Sequence, residues 1–238
     1  SSIRAVRSDA RIILGGPHAT LVHAAAKRES ALALTGRACD ALKQLTELFD
    51  VVVAGDGEEA VFLALMADAP SIIDADDPKT ELFLSNDQLS ELPFPARHLL
   101  DVESYRYHID GERALSLISQ LGCPFECGFC GGRQSPFLRR VRSRPSENVV
   151  AEMVHMYKNY GVKGFMFYDD ELNVNRNMIK LMQLIIDTQE SLGTTWRLRG
   201  FVKAQLFNEE QAANMYRAGF RWLLVGFESG APRILDNI

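Results

Sequence analysis

Short apolar runs alternate with longer amphipathic segments through the second half of the sequence. The period of the apolar residues predicts strands at 114–119, 163–168, 195–202 and 222–226, with helices at 149–160, 175–190 and 208–218. Successive strands joined by helices pair in parallel through right-handed crossovers. The pattern therefore predicts a barrel or partial barrel in residues 113–238. Four strands precede the end of the sequence, so this core is predicted to be incomplete at its C-terminus.

A similar alternation occupies residues 1–70. Apolar runs at 11–14 and 49–54 end in Gly15-Gly16-Pro17-His18 and Gly55-Asp56-Gly57, and helical patterns follow at 19–48 and 58–67. Strand, glycine-rich turn and helix in repetition predict part of a doubly wound, Rossmann-like α/β domain, whose ligands bind at the carboxyl ends of the strands. Residues 71–112 have poor periodicity and rigid proline turns, which predict a linker.

Three cysteines lie within eight residues, at Cys123, Cys127 and Cys130. Three thiolates leave a metal centre with an open coordination position, as in a [4Fe–4S] cube with one free iron. The alternatives are a zinc knuckle and a redox dithiol pair. A structural zinc site is closed by four ligands, and His108 and His155 fall outside the usual finger spacings. Cys39 stands apart and is interpreted as a structural or surface thiol rather than a fourth ligand.

The composition narrows the class of protein. With 47% apolar and 24% charged residues and a net charge of −5, the chain is typical of a globular protein without a basic nucleic-acid-binding surface. Neither a membrane-spanning run nor a signal peptide is recognised, so a cytoplasmic protein without membrane association is predicted. The basic run 139–144 is interpreted as a solvated loop, with contact to an anionic substrate or cofactor as the alternative.

The cysteine motif, with Phe129 just before its last cysteine, resembles the signature of radical S-adenosylmethionine (SAM) enzymes. The resemblance implies a partial (β/α)6 barrel and a [4Fe–4S] cluster ligated by Cys123, Cys127 and Cys130. It also implies that SAM binds the free iron through its amino and carboxylate groups and is cleaved reductively to a 5′-deoxyadenosyl radical. An electron donor such as flavodoxin or ferredoxin is expected as a partner.

The same resemblance indicates residues that contact SAM. The segment 168–171 takes the place of the motif that binds the amino group, and the alternative is that Asp169 and Asp170 cap the next helix. Of the basic residues on the third strand, Arg199 and Lys203 are preferred over Arg197 for the carboxylate. The segment 225–230 resembles the family's Gly-x-Glu-Ser-Gly, with an N-capping turn as the alternative. The predicted contacts are Phe129, Tyr168, Asp169, Asp170, Arg199, Lys203, Glu228 and Ser229. The aromatic rings at 165, 167, 168 and 222 are interpreted as sheet core.

The two glycine-rich loops resemble the last strand-loop units of a cobalamin (B12)-binding domain. On that resemblance, six residues lie beside the cofactor: Gly15, Gly16, His18, Thr20, Gly55 and Gly57. The alternative is a generic doubly wound domain whose glycines make tight turns. The family's Asp-x-His-x-x-Gly segment is absent, so the chain is predicted to begin inside the domain, and cobalamin is expected in the full-length parent.

Together the resemblances indicate the cobalamin-dependent radical SAM family. They imply methylation, or a related radical C–C or C–P transformation, of a small-molecule substrate. An anaerobic tetrapyrrole ring cyclase of the same family is an alternative. A radical SAM methylthiotransferase needs a second set of three cysteines, for which only Cys39 is present. A non-catalytic metal- or cobalamin-binding module is the alternative outside the enzymes.

Overall fold

The computed structural model describes residues 2–236, which form two compact units that interleave along the chain. The first unit contains residues up to 84 and residues 124–140, and the second contains residues 85–123 and those from 141 onward. The boundary falls inside the cysteine motif. Cys123 belongs to the second unit, whereas Cys127 and Cys130 belong to the first.

Short strands alternate with helices throughout the described residues. The strands are β1 (Ile13–Leu14), β2 (Val51–Gly55), β3 (Ile72–Ala75), β4 (His108–Ile109), β5 (Glu112–Leu117), β6 (Gln120–Leu121), β7 (Arg142–Ser143), β8 (Gly164–Phe167), β9 (Arg197–Val202) and β10 (Phe220–Val225). The helices are α1 (Ser2–Val6), α2 (Pro17–Ala31), α3 (Arg37–Leu48), α4 (Ala60–Ala64), α5 (Asn86–Glu91), α6 (Pro136–Arg139), α7 (Ser146–Tyr160), α8 (Met178–Leu192), α9 (Glu209–Ala218) and α10 (Pro232–Leu235). No helix within residues 2–236 is both long and apolar enough to cross a bilayer.

The first unit contains a parallel sheet of order β1-β2-β3. The central strand β2 is buried over Val51–Ala54, and α2 and α4 pack against it. The third strand, β3, lies in the segment predicted to be a linker. Only Ile72 and Ile73 give this strand an apolar signal before the acidic residues begin, and two residues are too few for a periodic pattern.

The second unit contains a sheet of order β10-β9-β8-β5-β4, in which β5, β8, β9 and β10 are parallel. The predicted α/β fold with parallel sheets is therefore confirmed. The antiparallel strand β4 was also predicted to be linker. It joins β5 through a tight turn at Asp110 and Gly111, which both have positive φ, at 49° and 83°.

The two faces of the second sheet differ in their cover. One face, the helix face, packs Phe165, Phe167 and Leu198 against α7 and α8. The other, the open face, carries a smaller cluster of Ile109, Ala114 and Met166. The prediction that aromatic rings form sheet core is correct for residues 165 and 167, which are fully buried. It is wrong for Tyr168 and Trp222, since each of these side chains is 57% exposed.

The glycine loops of the first unit are tied together by Thr20. Its hydroxyl donates to the carbonyl oxygen of Gly16 at 3.0 Å and accepts from the backbone N–H of Gly55 at 2.9 Å. Thr20 is fully buried, and Gly55 (φ 92°) packs directly on the backbone of Ala75 and Asp76. The cobalamin contacts predicted for Thr20 and Gly55 stay predictions, with Thr20 buried and Gly55 partly exposed. Both have structural roles, since one joins two loops and the other permits close backbone packing.

We expect Gly55→Ala to lower the free energy of unfolding by about 2 kcal/mol or more, because the new Cβ overlaps the Ala75 and Asp76 backbone and φ is left-handed. Gly57→Ala is the matched control. A Cβ at Gly57 meets nothing within 4 Å, so a change within about 0.5 kcal/mol is expected. Urea unfolding followed by circular dichroism measures both variants, and equal stability of the two would contradict this packing role.

Candidate functional site

The loop that carries the cysteines is closed at its base in the second unit. Strands β6 and β7 form a two-residue antiparallel ladder that pairs Gln120 with Ser143 and Leu121 with Arg142. The intervening loop, residues 122–141, thus leaves and re-enters the second unit at neighbouring positions.

Asp169 fixes the chain just before this ladder. Its fully buried carboxylate accepts hydrogen bonds from the backbone N–H and the hydroxyl of Ser119, the former at 2.7 Å, and from the backbone N–H of Gln120. Burial raises the pKa of Asp169 to about 6, although these hydrogen bonds act in the opposite direction. The Asp169 carboxylate is thus enclosed and already bonded to the chain before the cysteine loop, and its contact with SAM stays a prediction.

Glu152 of α7 organises a second set of contacts at the loop base. Its carboxylate, 1% exposed, lies 2.6 Å from both the Arg97 and the Arg144 guanidinium. Arg97 also donates to the carbonyl oxygen of Ser116 at 2.9 Å, and Arg144 donates to that of Ile118 at 2.7 Å. A groove of about 430 Å³ runs along these residues and is also lined by Tyr168.

These contacts revise the interpretation of the basic run 139–144 as a solvated loop. Arg142 is only 4% exposed, and the Arg144 side chain is 12% exposed. In the first unit, the Arg139 guanidinium donates to the carbonyl oxygen of Pro124 at 2.8 Å. Local charge density predicts solvation, which holds for the exposed Arg140, but Arg139 and Arg144 donate to backbone carbonyls and Arg144 also binds a buried carboxylate.

In the first unit, the cysteine loop packs beside α2. The backbone N–H of Cys130 donates to the carbonyl oxygen of Cys127 at 3.0 Å, and Arg133 donates to that of Gly128 at 2.7 Å. A groove of about 460 Å³ lies between this loop and α2. Phe129, which is 59% exposed, lines the groove and stays a predicted SAM contact.

The donor set of the loop suits an iron–sulfur cluster. Cysteine thiolates are the ligands that such clusters take from proteins, and none of the four cysteines forms a disulfide. No three side chains of the types His, Cys, Asp and Glu are gathered at metal-binding distance within residues 2–236. The assignment of the ligands therefore depends on residue type and spacing. Cys39 lies apart, with its sulfur 3.7 Å from the Ser30 hydroxyl, as expected of a structural thiol.

The carboxyl ends of β8, β9 and β10 bring charged side chains to one edge of the second sheet, here called the strand-end edge. Partial burial raises the pKa of Glu171, the charges of Asp170 and Glu228 act in the same direction, and Lys203 opposes the shift. Asn173 fixes the backbone at Lys203 through hydrogen bonds of 2.8 and 3.0 Å to its N–H and carbonyl. The edge thus combines three carboxylates with one ammonium group.

Three further residues of the second unit are predicted to contact SAM, namely Asp170, Glu228 and Ser229. Asp170 accepts from the backbone N–H of Gly122, and partial desolvation raises its pKa. Neither Asp169 nor Asp170 caps the next helix, because α8 begins at Met178. Glu228 is exposed with φ 54°, and the Ser229 hydroxyl accepts from the Ala231 backbone N–H at 3.1 Å.

The structure separates the two arginines of β9. Arg197 binds Asp110 at 2.9 Å in the β4–β5 turn, at the amino end of its strand. Arg199 pairs in register with Met166 and therefore shares the open face with it. The buried Nε of Arg199 has no hydrogen-bond partner among the described residues, so Arg199 remains a predicted SAM contact.

Sequence reasoning missed several polar groups at this edge. The buried amide of Gln120 donates to the carbonyl oxygen of Glu171 at 2.7 Å, while its Oε1 has no partner among the described residues. The same holds for Oε2 of Glu171. Buried polar atoms are nearly always bonded, so these atoms fit a polar ligand with amino, carboxylate and hydroxyl groups, as SAM has. The acidic run at 169–171 gave a signal for Glu171, whereas Gln120 had none.

The model of the Radical SAM superfamily matches residues 117–238. The chain belongs to this superfamily. Among curated relatives, it is 28% identical over 242 residues to an uncharacterized methyltransferase of Pyrococcus horikoshii, covering 95% of this chain and 47% of the relative. It is 25% identical to the anaerobic magnesium-protoporphyrin IX monomethyl ester cyclase of Rubrivivax gelatinosus, over 98% of this chain and 41% of that enzyme.

A third relative is the cytidylyl-2-hydroxyethylphosphonate methyltransferase of Streptomyces wedmorensis, 26% identical over 63% of this chain and 29% of that enzyme. The chain spans less than half the length of these relatives. A solved structure of the radical SAM methyltransferase TsrM from Kitasatospora setae, with cobalamin and a [4Fe–4S] cluster, is 24% identical with a TM-score of 0.46, over 50% of this chain and 23% of TsrM. The radical SAM enzyme OxsB, with aqua-cobalamin and SAM, gives 23% identity and a TM-score of 0.40, over 52% of this chain and 19% of OxsB.

The buried carboxylate of Asp169 predicts a pH dependence of stability. Its pKa rises from 3.8 in the unfolded chain to about 6 in the folded one, so the carboxyl group keeps its proton up to a higher pH in the folded state. The contribution of Asp169 to stability is therefore full below the unfolded pKa and is lost as the pH rises through about 6. We expect the free energy of unfolding to fall by on the order of 2 to 3 kcal/mol over this window.

Asp169→Asn should lack this fall, because the amide does not ionise. Urea unfolding between pH 3.5 and 7.5 measures the difference between the two proteins at each pH. Asp187→Asn, on the exposed side of α8, is the control and should follow the wild type. A constant difference between wild type and Asp169→Asn across the range would show that the carboxylate has an ordinary pKa.

Proposed function

We propose that this chain forms the SAM- and cluster-binding part of a cobalamin-dependent radical SAM methylase that acts on a small molecule. The observation that carries the proposal is the combination of three closely spaced thiols with a strand-end edge rich in carboxylates. The cysteine loop starts from the same unit that holds this edge. A one-electron donor such as flavodoxin or ferredoxin completes the proposed reaction.

The thiolates of Cys123, Cys127 and Cys130 would hold a [4Fe–4S] cluster with one iron open to SAM. When bound, the cluster supplies the electron that cleaves SAM to a 5′-deoxyadenosyl radical, and cobalamin supplies the carrier for the methyl group. The protein's own part is to ligate, to orient and to exclude water.

The charges of the strand-end edge suit the charges of SAM. Asp170, Glu171 and Glu228 favour the ammonium and sulfonium groups, because opposite charges attract strongly in a partly desolvated site. Lys203 and Arg199 supply cationic donors for the SAM carboxylate. Glu228 and Ser229 are the proposed acceptors and donors for the ribose hydroxyls.

Cobalamin is proposed to lie at the carboxyl ends of β1 and β2 in the first unit. Ligands of open parallel sheets bind at this edge, and Gly15, Gly16, His18 and Gly57 are exposed there. Backbone N–H groups beside glycines approach a bulky ligand closely, since no Cβ intervenes. Of the six residues predicted for this site, these four are exposed, Gly55 is partly exposed and Thr20 is buried.

A ring cyclase is the second candidate. It is favoured by the relative from Rubrivivax gelatinosus, whose similarity covers 98% of this chain. The two candidates share the cluster, SAM and the radical step, and differ in whether a methyl group is transferred.

The cluster assignment predicts the behaviour of the four cysteines after anaerobic reconstitution with iron and sulfide. The wild type should bind four irons and give a spectrum that responds to SAM, and it should form 5′-deoxyadenosine when reduced with dithionite. Alanine at Cys123, Cys127 or Cys130 should abolish all three properties, since each removes one thiolate ligand. Cys39→Ala is the matched control and should retain them. A single stable zinc without a SAM response would overturn the radical SAM assignment for this chain.

Isotope transfer separates methylase from cyclase. With SAM carrying a CD3 group, reductant and aqua-cobalamin, a methylase transfers the label to the corrinoid, which mass spectrometry detects. Formation of 5′-deoxyadenosine without label in the corrinoid would contradict methylation and support the cyclase.

A further inference from the structure

A buried carboxylate of the first sheet holds the chain that follows the last cysteine. Asp76 comes directly after β3 and is 1% exposed. Its Oδ1 accepts a hydrogen bond from the Ser135 hydroxyl and another from the Phe137 backbone N–H, both at 2.7 Å. Ser135 stands five residues after Cys130, and all of these contacts lie within the first unit.

Asp76 is itself held from several directions. The backbone of Gly55 packs against Ala75 and Asp76 with no room for a side chain. The N–H of Asp76 donates to the carboxylate of Asp74 at 3.1 Å, and Asp74 binds Lys27 of α2 at 2.6 Å. The position of the Asp76 carboxylate is therefore fixed by the sheet and by α2.

These contacts form a continuous path within the first unit. Thr20 joins the two glycine loops, Gly55 joins the second loop to Asp76, and Asp76 joins the sheet to Ser135 and Phe137. These contacts therefore fix the position of the loop segment that carries Cys127 and Cys130 relative to the strand ends of the first sheet.

The hydrogen bonds that the Asp76 carboxylate accepts come from the cysteine loop. Burying a carboxylate opposes folding unless the charge is compensated, and burial raises the pKa of Asp76. Two donors of the cysteine loop converge on one of its oxygens, so this bonding also fixes the loop. Hydrogen bonds from surrounding protein groups orient metal ligands, and the loss of such bonds typically reduces metal affinity about 10- to 100-fold.

We propose that Asp76 is a positioning residue that fixes the segment after Cys130 so that Cys127 and Cys130 present their thiolates to the cluster. The inference rests on the proposed function. It adds a residue outside the cysteine motif, and on the first sheet, to the determinants of cluster binding.

Three variants of the protein test this role. Asp76→Ala removes both hydrogen bonds. Asp76→Asn is the conservative variant, because the amide oxygen can replace the single carboxylate oxygen that accepts them. Asp77→Ala is the neighbouring control, since the Asp77 carboxylate accepts a hydrogen bond from its own turn, from the Lys79 N–H at 3.0 Å, and not from the cysteine loop among the described contacts.

The readouts are the rate at which an iron chelator strips the reconstituted cluster and the change in the electron paramagnetic resonance spectrum when SAM is added. We expect Asp76→Ala to lose iron about 10-fold faster or more and to give a weakened SAM response. Asp76→Asn and Asp77→Ala should behave like the wild type. Thermal unfolding of the iron-free proteins tests whether the variants fold.

An unchanged rate of iron loss in folded Asp76→Ala would overturn the proposal, and so would an Asp76→Asn variant as impaired as Asp76→Ala. If Asp76→Ala does not fold, Ser135→Ala takes its place, because it removes one of the two bonds and should also accelerate iron loss. An unchanged rate there overturns the proposal. Failure of the wild type to hold a SAM-responsive cluster would instead refute the proposed function.

Discussion

The second unit depends on the hydrogen bonds that the Asp169 carboxylate accepts from Ser119 and Gln120. Removing a carboxylate from water is costly, and donors from two consecutive residues offset part of this cost, although the pKa of Asp169 remains raised. Gln120, once fixed, reaches the backbone of Glu171. The ends of β5 and β8 are therefore held to each other before any ligand is present, which is the kind of preorganised support that a precise binding site requires.

Local periodicity predicted most of the parallel sheets, because strand and helix periods are written in consecutive residues. The bounds of α7 and β9 agree with the pattern to within a few residues. Strand β3 was missed, since two isoleucines give no period and its pairing with β2 is a tertiary contact. The inclusion of residues 124–140 in the first unit was also unpredictable, because it depends on such distant contacts as that between Asp76 and Ser135.

The candidate site likewise has features that the sequence predicted and features that depend on tertiary contacts. Parallel pairing places Asp170, Lys203 and Glu228 at one edge, and the positions of their strands along the sequence were sufficient to predict this. The sequence could not predict that Asp169 is buried whereas Asp170 is exposed. The two aspartates have the same chemistry, and they differ only because Ser119 and Gln120 enclose the Asp169 carboxylate in the fold. A glycine in a predicted binding loop can be required for backbone packing rather than for contact with a ligand. Gly55 is required by the neighbouring backbone, whereas Gly57 faces open space.

The contacts of Glu152 have a consequence for the solubility of the protein. The carbonyl oxygens of Ser116 and Ile118 point away from β8, and unpaired carbonyl oxygens at a sheet edge are acceptors to which another molecule can add a strand. Arg97 and Arg144 occupy these oxygens, and both guanidinium groups are tethered to a carboxylate that is almost completely enclosed. An invading strand would have to displace two arginines and leave a buried charge uncompensated, so the same residues that secure the loop base also protect the sheet from self-association.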